Sequence, residues 1–120
     1  MEINKITEII IGSAYTVSNT LGCGFLEKVY ENALAIEIKK QGLNVKQQFN
    51  LPVFYDGIKV GDYYADLFVE DSVIVELKST EKSNEIYEAQ LLNYLKAGNI
   101  KIGLLINFGK TKVEIKRFSK

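Results

Sequence analysis

The chain contains no histidine and only one cysteine, Cys23, among its 120 residues. Histidine is the usual general base and the commonest zinc ligand, so its absence excludes Ser-His and Cys-His nucleophilic arrangements. One cysteine can form neither an internal disulfide nor a typical structural zinc site. Any catalysis must therefore use carboxylates, lysine, tyrosine or a metal ion bound through oxygen, and a reducing, cytoplasmic setting is expected.

Long apolar runs, repeats and low-complexity segments are also missing. No stretch approaches the roughly 20 apolar residues that cross a bilayer, and no export signal is visible, so no membrane partner is expected. Hydrophobic residues make up 47% of the chain and charged residues 25%, which is ordinary for a globular domain. Without a linker-like segment, the sequence predicts a single domain over residues 1–120.

Charge is balanced overall but unevenly distributed. Residues 56–95 carry nine acids and three bases, whereas residues 96–120 carry seven bases and one acid. This pattern is compatible with a metal site beside a surface that contacts phosphates, but charge alone favours two solvated faces. The zero net charge argues against tight sequence-independent DNA binding by the domain alone, so a homodimer or a protein partner is a further expectation.

Apolar spacing predicts two helices before the first strand. Steps of three and four over residues 3–21 are typical of an amphipathic helix, which the LGCG segment at residues 21–24 ends. A second helix is predicted from about Phe25 to Gln41, with Gly42 as its C′ residue. Its inward face is expected to carry Phe25, Val29, Ala33 and Ile36.

A period of two after Gly42 predicts strands. Residues 45–51 alternate, and Pro52 then interrupts the pattern, which indicates an edge strand or the start of a strand. The Asp56-Gly57 pair predicts a turn, and strands are expected over residues 58–69 and 73–78.

A third helix is predicted over residues 84–97, capped by Ser83 or Asn84 and ended by Gly98. Its expected inward residues are Ile86, Ala89, Leu91 or Leu92, and Leu95. Residues 101–108 read as a buried central strand and residues 111–118 as an outer strand. The predicted order is α-α-β-β-β-β-α-β-β, a mixed α/β domain with one sheet packed against helices.

Three charged residues, Asp66, Glu76 and Lys78, interrupt the apolar hairpin YYADLFVEDSVIVELKST at residues 63–80. Pairing Leu67 with Val75 keeps the apolar residues on one face and leaves a three-residue loop at 70–72. We expect Ala65, Leu67 and Val69 to share that face.

The same register sets Asp66 opposite Glu76, with Lys78 next along that side and Tyr64 across from it. Two carboxylates at this spacing repel each other unless a positive charge lies between them. A divalent cation bound through oxygen, Mg²⁺ or Mn²⁺, would supply that charge. The alternative is a purely structural ion triad in which Lys78 alone neutralises the pair.

These residues resemble a known pattern. Asp66 followed by ELK, with Glu76 and Lys78, resembles the D…ExK signature of the PD-(D/E)xK nuclease superfamily. GFLEKVY, with Gly24, Glu27 and Tyr30, matches the motif of the GxxExxY protein family, a branch of that superfamily. Gln90 and Tyr94 in QLLNY are similar to the QxxxY motif of RecB-like and λ-exonuclease-like members. The resemblance covers roughly residues 3–118, and its departure is Ala65 in place of the nominal proline.

The resemblance implies a restriction-endonuclease-like fold and a Mg²⁺- or Mn²⁺-dependent nuclease that cleaves DNA rather than RNA. It implies that Asp66, Glu76 and the backbone carbonyl of Leu77 hold the metal, and that Glu27 adds a carboxylate directly or through water. Lys78 would position or deprotonate the attacking water. The alternative function is a non-catalytic module on the same fold that binds nucleic acid or protein.

Three further residues have two interpretations each. Tyr30 orients Glu27 or contacts the nucleic-acid backbone, or it is simply a packed tyrosine. Gln90 and Tyr94, four residues apart on one helical face, contact a phosphate or the attacking water. Alternatively Tyr94 packs in the core and Gln90 caps a groove. Gly24 is expected to let the second helix approach closely.

Overall fold

A computed structural model describes residues 1–82 and 84–120 of the chain. Its elements in order are α1 (Ile3–Leu21), α2 (Glu27–Lys40), β1 (Val45–Tyr55), β2 (Ile58–Val69), β3 (Val73–Lys78), α3 (Glu85–Gly98), β4 (Ile102–Asn107) and β5 (Glu114–Ser119). The strands form one sheet in the order β1-β2-β3-β4-β5. Neighbours are antiparallel except β3 and β4, which α3 connects in parallel. The mixed α/β class is confirmed.

The sheet separates two apolar cores. The larger core packs α1 and α2 against one face, where Val73, Val75 and Leu77 point. The smaller core packs α3 against the other face, where Ile74 and Leu105 point. Because β3 contributes to both cores, its residues 73–77 are all buried. Glu76, which lies within this run, is therefore in a low-dielectric environment. Among the described helices, none is long and apolar enough to span a membrane.

The structure has three strands before α3, where the sequence predicted four. Pro52 lies inside β1 and pairs with Asp62, so it does not divide the strand. Proline is tolerated here because β1 is at the edge of the sheet. The edge position of β1 and the outer position of β5 were predicted correctly. Strand β4 is buried and interior as predicted, but the central strand is β3.

The predicted inward face of α2 is wrong except at Ala33, which is partly buried against the larger core. Val29 and Ile36 are 38% and 56% exposed and Phe25 precedes the helix, whereas the buried stripe carries Tyr30, Glu31, Leu34, Ala35 and Ile38. The two stripes differ by about one residue, or roughly 100° of rotation. Each stripe of α2 carries apolar side chains, but the stripe with Tyr30 and Leu34 is the one that packs in the larger core.

On α3, Leu91 and Leu95 are inward as predicted, but Ile86, Ala89 and Leu92 are exposed. Tyr94 takes the remaining inward position. The cap prediction holds for Asn84, whose side chain accepts a hydrogen bond from the Ile86 N–H at 2.8 Å. The other candidate, Ser83, lies outside the described residues.

The predicted hairpin register is confirmed, with Leu67 opposite Val75 and Val69 opposite Val73. The expectation that Ala65 shares a face with Leu67 is wrong, because Ala65 packs in the smaller core and Leu67 in the larger. Strand β1 changes face at the same level: Val45 packs in the larger core and Leu51 in the smaller. The change lies beside Gln48, whose backbone has a left-handed φ of 51°.

Candidate active site

The backbone ladder between β2 and β3 ends at the pair Leu67–Val75, and two carboxylates continue the hydrogen bonding beyond it. The Asp66 N–H donates to Glu76 Oε1 at 2.9 Å. The Leu77 N–H donates to Asp66 Oδ2 at 2.8 Å. The two acids therefore lie side by side between the strands, as the register predicted.

Burial makes this pair electrostatically costly. Glu76 is only 5% exposed. Its burial, with the neighbouring Asp66 charge, raises its pKa to about 8 from an ordinary value of 4.5. Burial also raises the pKa of Asp66, against the hydrogen bonds from Leu77 and Gln48 that lower it. A carboxylate pair of this kind favours a proton or a cation between its oxygens.

Lys78 does not neutralise the pair by contact. Its charge lowers the pKa of both acids, yet within the described ranges it forms no ion pair with either. Its Nζ lies 4.5 Å from the centroid of the Tyr87 ring, on the α3 side of the sheet. The ion-triad interpretation is therefore not what the structure shows, because Lys78 acts on the carboxylates from a distance and the pKa of each stays raised.

Oxygen ligands are available for a divalent cation. Among the described residues, Glu76 Oε2 accepts no hydrogen bond and no buried side-chain oxygen lacks a partner, so Oε2 reaches solvent. In a strand the N–H and C=O of one residue point to the same side. The Leu77 carbonyl consequently faces the Asp66 side, because its N–H does. Mg²⁺ typically binds one or two carboxylates and completes its shell with water and phosphate, which fits this set.

Glu27 lies near the pair without joining it. The residue is exposed, begins α2 and raises the pKa of Glu76 through its charge. Over residues 1–82 and 84–120, no group of three or more acidic or cysteine side chains is close enough to hold a metal ion together. The geometry therefore provides two carboxylates and a carbonyl, and Glu27 is near enough for its charge to raise the pKa of Glu76.

Gln90 and Tyr94 meet as their spacing predicted. Gln90 Nε2 donates to the Tyr94 hydroxyl at 3.0 Å, and the Tyr94 ring is 5.0 Å from that of Tyr63. Burial, with the charges of Glu76 and Asp66, raises the pKa of Tyr94 to about 12. Tyr94 is thus packed, at 6% exposure, and also close to the carboxylates.

Tyr30 is the packed tyrosine of the two alternatives. It is fully buried and stacks on Phe108 with ring centroids 4.6 Å apart. Its hydroxyl donates to the Gly22 carbonyl at 2.6 Å and accepts from the Phe25 N–H at 3.2 Å. The expected contact with nucleic acid is therefore unavailable to it. Gly24 has a φ of 108° and no atom within 4 Å of where a Cβ would lie. Glycine is therefore favoured here by the backbone conformation, and the expectation that it lets α2 approach closely is wrong.

The sequence analysis missed Glu31, Gln47 and Gln48. Glu31 is 3% exposed on α2 and accepts hydrogen bonds from Gln47, Gln48 and Lys28. Its charge also contributes to the raised pKa of Asp66. The available signal was spacing, because Glu31 lies four residues after Glu27 and so one turn along the same helix.

Four of the seven basic residues after position 95 contact this chain itself. Lys116 pairs with Glu88 at 2.8 Å, and Arg117 Nη2 donates to the Asn4 side chain at 3.0 Å. The other two are Lys110, paired with Glu114, and Lys120, bonded to Asn99. These contacts reduce the positive surface that the C-terminal strands were expected to offer to phosphates.

The family model of the PD-(D/E)XK nuclease superfamily matches residues 4–118, nearly the whole chain. The chain belongs to this superfamily. Its members generally use divalent metal ions, which agrees with the paired carboxylates. The narrower resemblance to the GxxExxY family stays a prediction.

The crystal structure of SSO0001 has a similar fold, with a TM-score of 0.61 and 18% sequence identity. The similarity covers 98% of this chain and 58% of SSO0001, so this chain spans little more than half of that protein. No curated protein matches the sequence significantly.

Proposed function

We propose that this nuclease-superfamily domain is a metal-dependent nuclease that hydrolyses phosphodiester bonds, in DNA rather than RNA. The observation that carries the proposal is the Asp66–Glu76 pair, in which Glu76 is buried and Asp66 half-buried. Backbone N–H groups hold both carboxylates, and no cationic side chain among the described residues forms an ion pair with them. Both acids accept backbone hydrogen bonds, but these do not remove the cost of placing two carboxylates side by side with little solvent, which a bound cation would offset. The choice of DNA follows the family resemblance.

Asp66, Glu76 and the Leu77 carbonyl would hold Mg²⁺ or Mn²⁺, and Glu27 would join through water. The chemistry supplied at this site by a bound metal would be activation of water and stabilisation of charge on the phosphate. The protein fixes both carboxylates beforehand through the Leu77 and Asp66 N–H groups. Substrate binding is expected to draw Lys78 from the Tyr87 ring toward the phosphate, where it positions or deprotonates the attacking water.

Tyr94 and Gln90 would bind the phosphate side of the substrate. With a pKa near 12, the Tyr94 hydroxyl keeps its proton at neutral pH. It can therefore donate to a phosphate oxygen or to water while it accepts from Gln90. Tyr30 has no part in this step.

The test is cleavage of single-stranded, duplex and branched DNA, and of matching RNA, with Mg²⁺ or Mn²⁺. We expect Glu76→Ala and Lys78→Ala to lose at least about 100-fold in rate, as removal of catalytic electrostatic groups usually does. Lys82→Ala is the matched control, because Lys82 is exposed and four residues further along. Cleavage that survives in both site variants would refute the assignment.

The non-catalytic module predicts a different result. It would bind Mn²⁺, seen by calorimetry, yet cleave none of these substrates. Absence of both Mn²⁺ binding and cleavage would contradict the metal site itself.

A further inference from the structure

Gln48 has an unusual backbone for a strand residue. Its neighbours Gln47 and Phe49 pair normally with Leu67 and Ala65, while Gln48 itself has a φ of 51°. A left-handed conformation is costly for a residue with a side chain and persists only where the surroundings impose it. Here it coincides with the level at which Asp66 lies on the paired strand.

The Gln48 side chain joins two acids. Its Nε2 lies 2.8 Å from Glu31 Oε1 and 3.2 Å from Asp66 Oδ1. An amide nitrogen carries two hydrogens, so both are used. Glu31 also receives Gln47 Nε2 at 2.7 Å and Lys28 Nζ at 3.0 Å, both on its second oxygen.

Glu31 determines which end of the amide faces Asp66. An ionised carboxylate only accepts hydrogen bonds, so it holds the Gln48 nitrogen and turns the amide oxygen away. The second hydrogen of that nitrogen then points to Asp66 Oδ1. Since the Leu77 N–H holds Oδ2, both oxygens of Asp66 are fixed and rotation of its carboxylate is restricted.

We propose that Gln48 is a positioning residue that orients Asp66 for metal binding, with Glu31 as its anchor. The inference rests on the proposed function, in which Asp66 is a metal ligand. Groups that orient a ligand before the metal arrives reduce the reorganisation that binding requires. Gln48 is exposed, so it has no role in either core, and replacing it leaves the packing intact.

The first experiment uses the metal-free protein. Gln48→Met keeps the length of the side chain and removes both donors, and we expect hydrogen exchange of the Leu77 amide to accelerate by at least about tenfold. Gln47→Met is the matched control, because Gln47 binds Glu31 and Asn32 but not Asp66. Its Leu77 amide should exchange at the wild-type rate.

The second experiment measures Mn²⁺ affinity by calorimetry. Loss of an outer-shell partner typically costs about 10- to 100-fold, and we expect this loss for Gln48→Met and less than about threefold for Gln47→Met. Gln48→Gly tests whether stability explains the loss. Glycine adopts a positive φ readily, so this variant should keep its melting temperature and still bind Mn²⁺ weakly.

Glu31→Gln should weaken Mn²⁺ binding in the wild-type background and do so less in Gln48→Met, because the part of its effect that passes through the Gln48 amide is already lost there. The part that remains is the loss of the Glu31 charge near Asp66. Wild-type Mn²⁺ affinity in both Gln48 variants would overturn the inference and leave the proposed function standing. The two results can also separate. If the Leu77 amide exchanges faster in Gln48→Met but the wild-type protein binds no Mn²⁺, Gln48 orients Asp66 and the proposed metal chemistry is overturned. Unchanged Leu77 exchange would overturn the orientation itself.

Discussion

Replacing Glu76 with glutamine should stabilise the metal-free protein at high pH. The pKa of Glu76 is raised from 4.5 to about 8, first by burial and then by Asp66. Below pH 4.5 the carboxyl is protonated in both folded and unfolded states, and its contribution to stability is fully present. Between pH 4.5 and 8 the unfolded chain releases the proton that the folded protein retains, so stability from this group is lost as pH rises.

The magnitude follows from the shift. At about 1.4 kcal/mol for each pKa unit, the rise from 4.5 to about 8 corresponds to about 5 kcal/mol. This is an upper value, and it is a large part of the roughly 5–15 kcal/mol that stabilises a typical domain. Glutamine cannot ionise, and its amide oxygen can still accept the Asp66 N–H. The variant should therefore escape most of this loss.

The assay is urea unfolding followed by far-ultraviolet circular dichroism, with a chelator present, at pH 5 to 9. We expect Glu76→Gln and wild type to have similar unfolding free energies near pH 5 and the variant to be more stable by several kcal/mol at pH 9. Comparing the two proteins at each pH removes the contributions of groups that they share. Added Mg²⁺ should raise the stability of the wild type at pH 9 more than that of the variant.

Glu8→Gln is the control, since the Glu8 side chain is 72% exposed on α1. It should follow the wild-type curve at every pH. A Glu76→Gln curve parallel to the wild type, within about 1 kcal/mol from pH 5 to 9, would refute the reasoning. It would mean that Glu76 ionises in the folded protein as readily as in the unfolded chain.

The remaining predictions concern how the site is supported. A Cβ on Gly109 would fall inside 3.0 Å of the Thr80 backbone, so Gly109→Ala should lower stability by about 2–3 kcal/mol and reduce cleavage by displacing the segment after Lys78. Gly12→Ala, where the helix surface is open, should instead raise the unfolding free energy by up to about 1 kcal/mol. Equal effects in the two variants would contradict this steric account. Tyr30→Phe loses two hydroxyl hydrogen bonds and should cost about 1–2 kcal/mol in urea unfolding, with Mn²⁺ affinity unchanged by calorimetry. A fall in Mn²⁺ affinity in Tyr30→Phe would mean that the Tyr30 hydroxyl supports the metal site.

The hairpin could be predicted because strand alternation leaves few choices. Only a three-residue loop puts Leu67 and Val69 opposite Val75 and Val73, and this register also brings Asp66 beside Glu76. The faces of α2 and α3 could not be chosen with the same certainty. Each helix carries two apolar stripes, and which one is buried depends on the shape of the sheet beneath it.

The supporting residues were less accessible to sequence reasoning. The change of face beside Gln48 depends on one backbone angle, and an exposed glutamine gives no compositional signal for it. Glu31 reads as a solvated helix residue, yet it is buried because three side-chain donors meet it. A buried carboxylate needs hydrogen-bond donors around it, and two of the donors to Glu31 come from β1. The burial of Glu31 can therefore be seen only when the position of β1 beside α2 is known.

The end of the β2–β3 ladder explains why the carboxylates and the fold are inseparable. Past Leu67 and Val75, backbone N–H groups of both strands bond to side-chain oxygens of Asp66 and Glu76. Removing either acid would leave a buried backbone donor without a partner, which is itself costly. The acids thus complete the sheet while burial raises their pKa values. Because a bound divalent cation would favour their ionised forms, metal binding would offset part of the free energy lost in burying them.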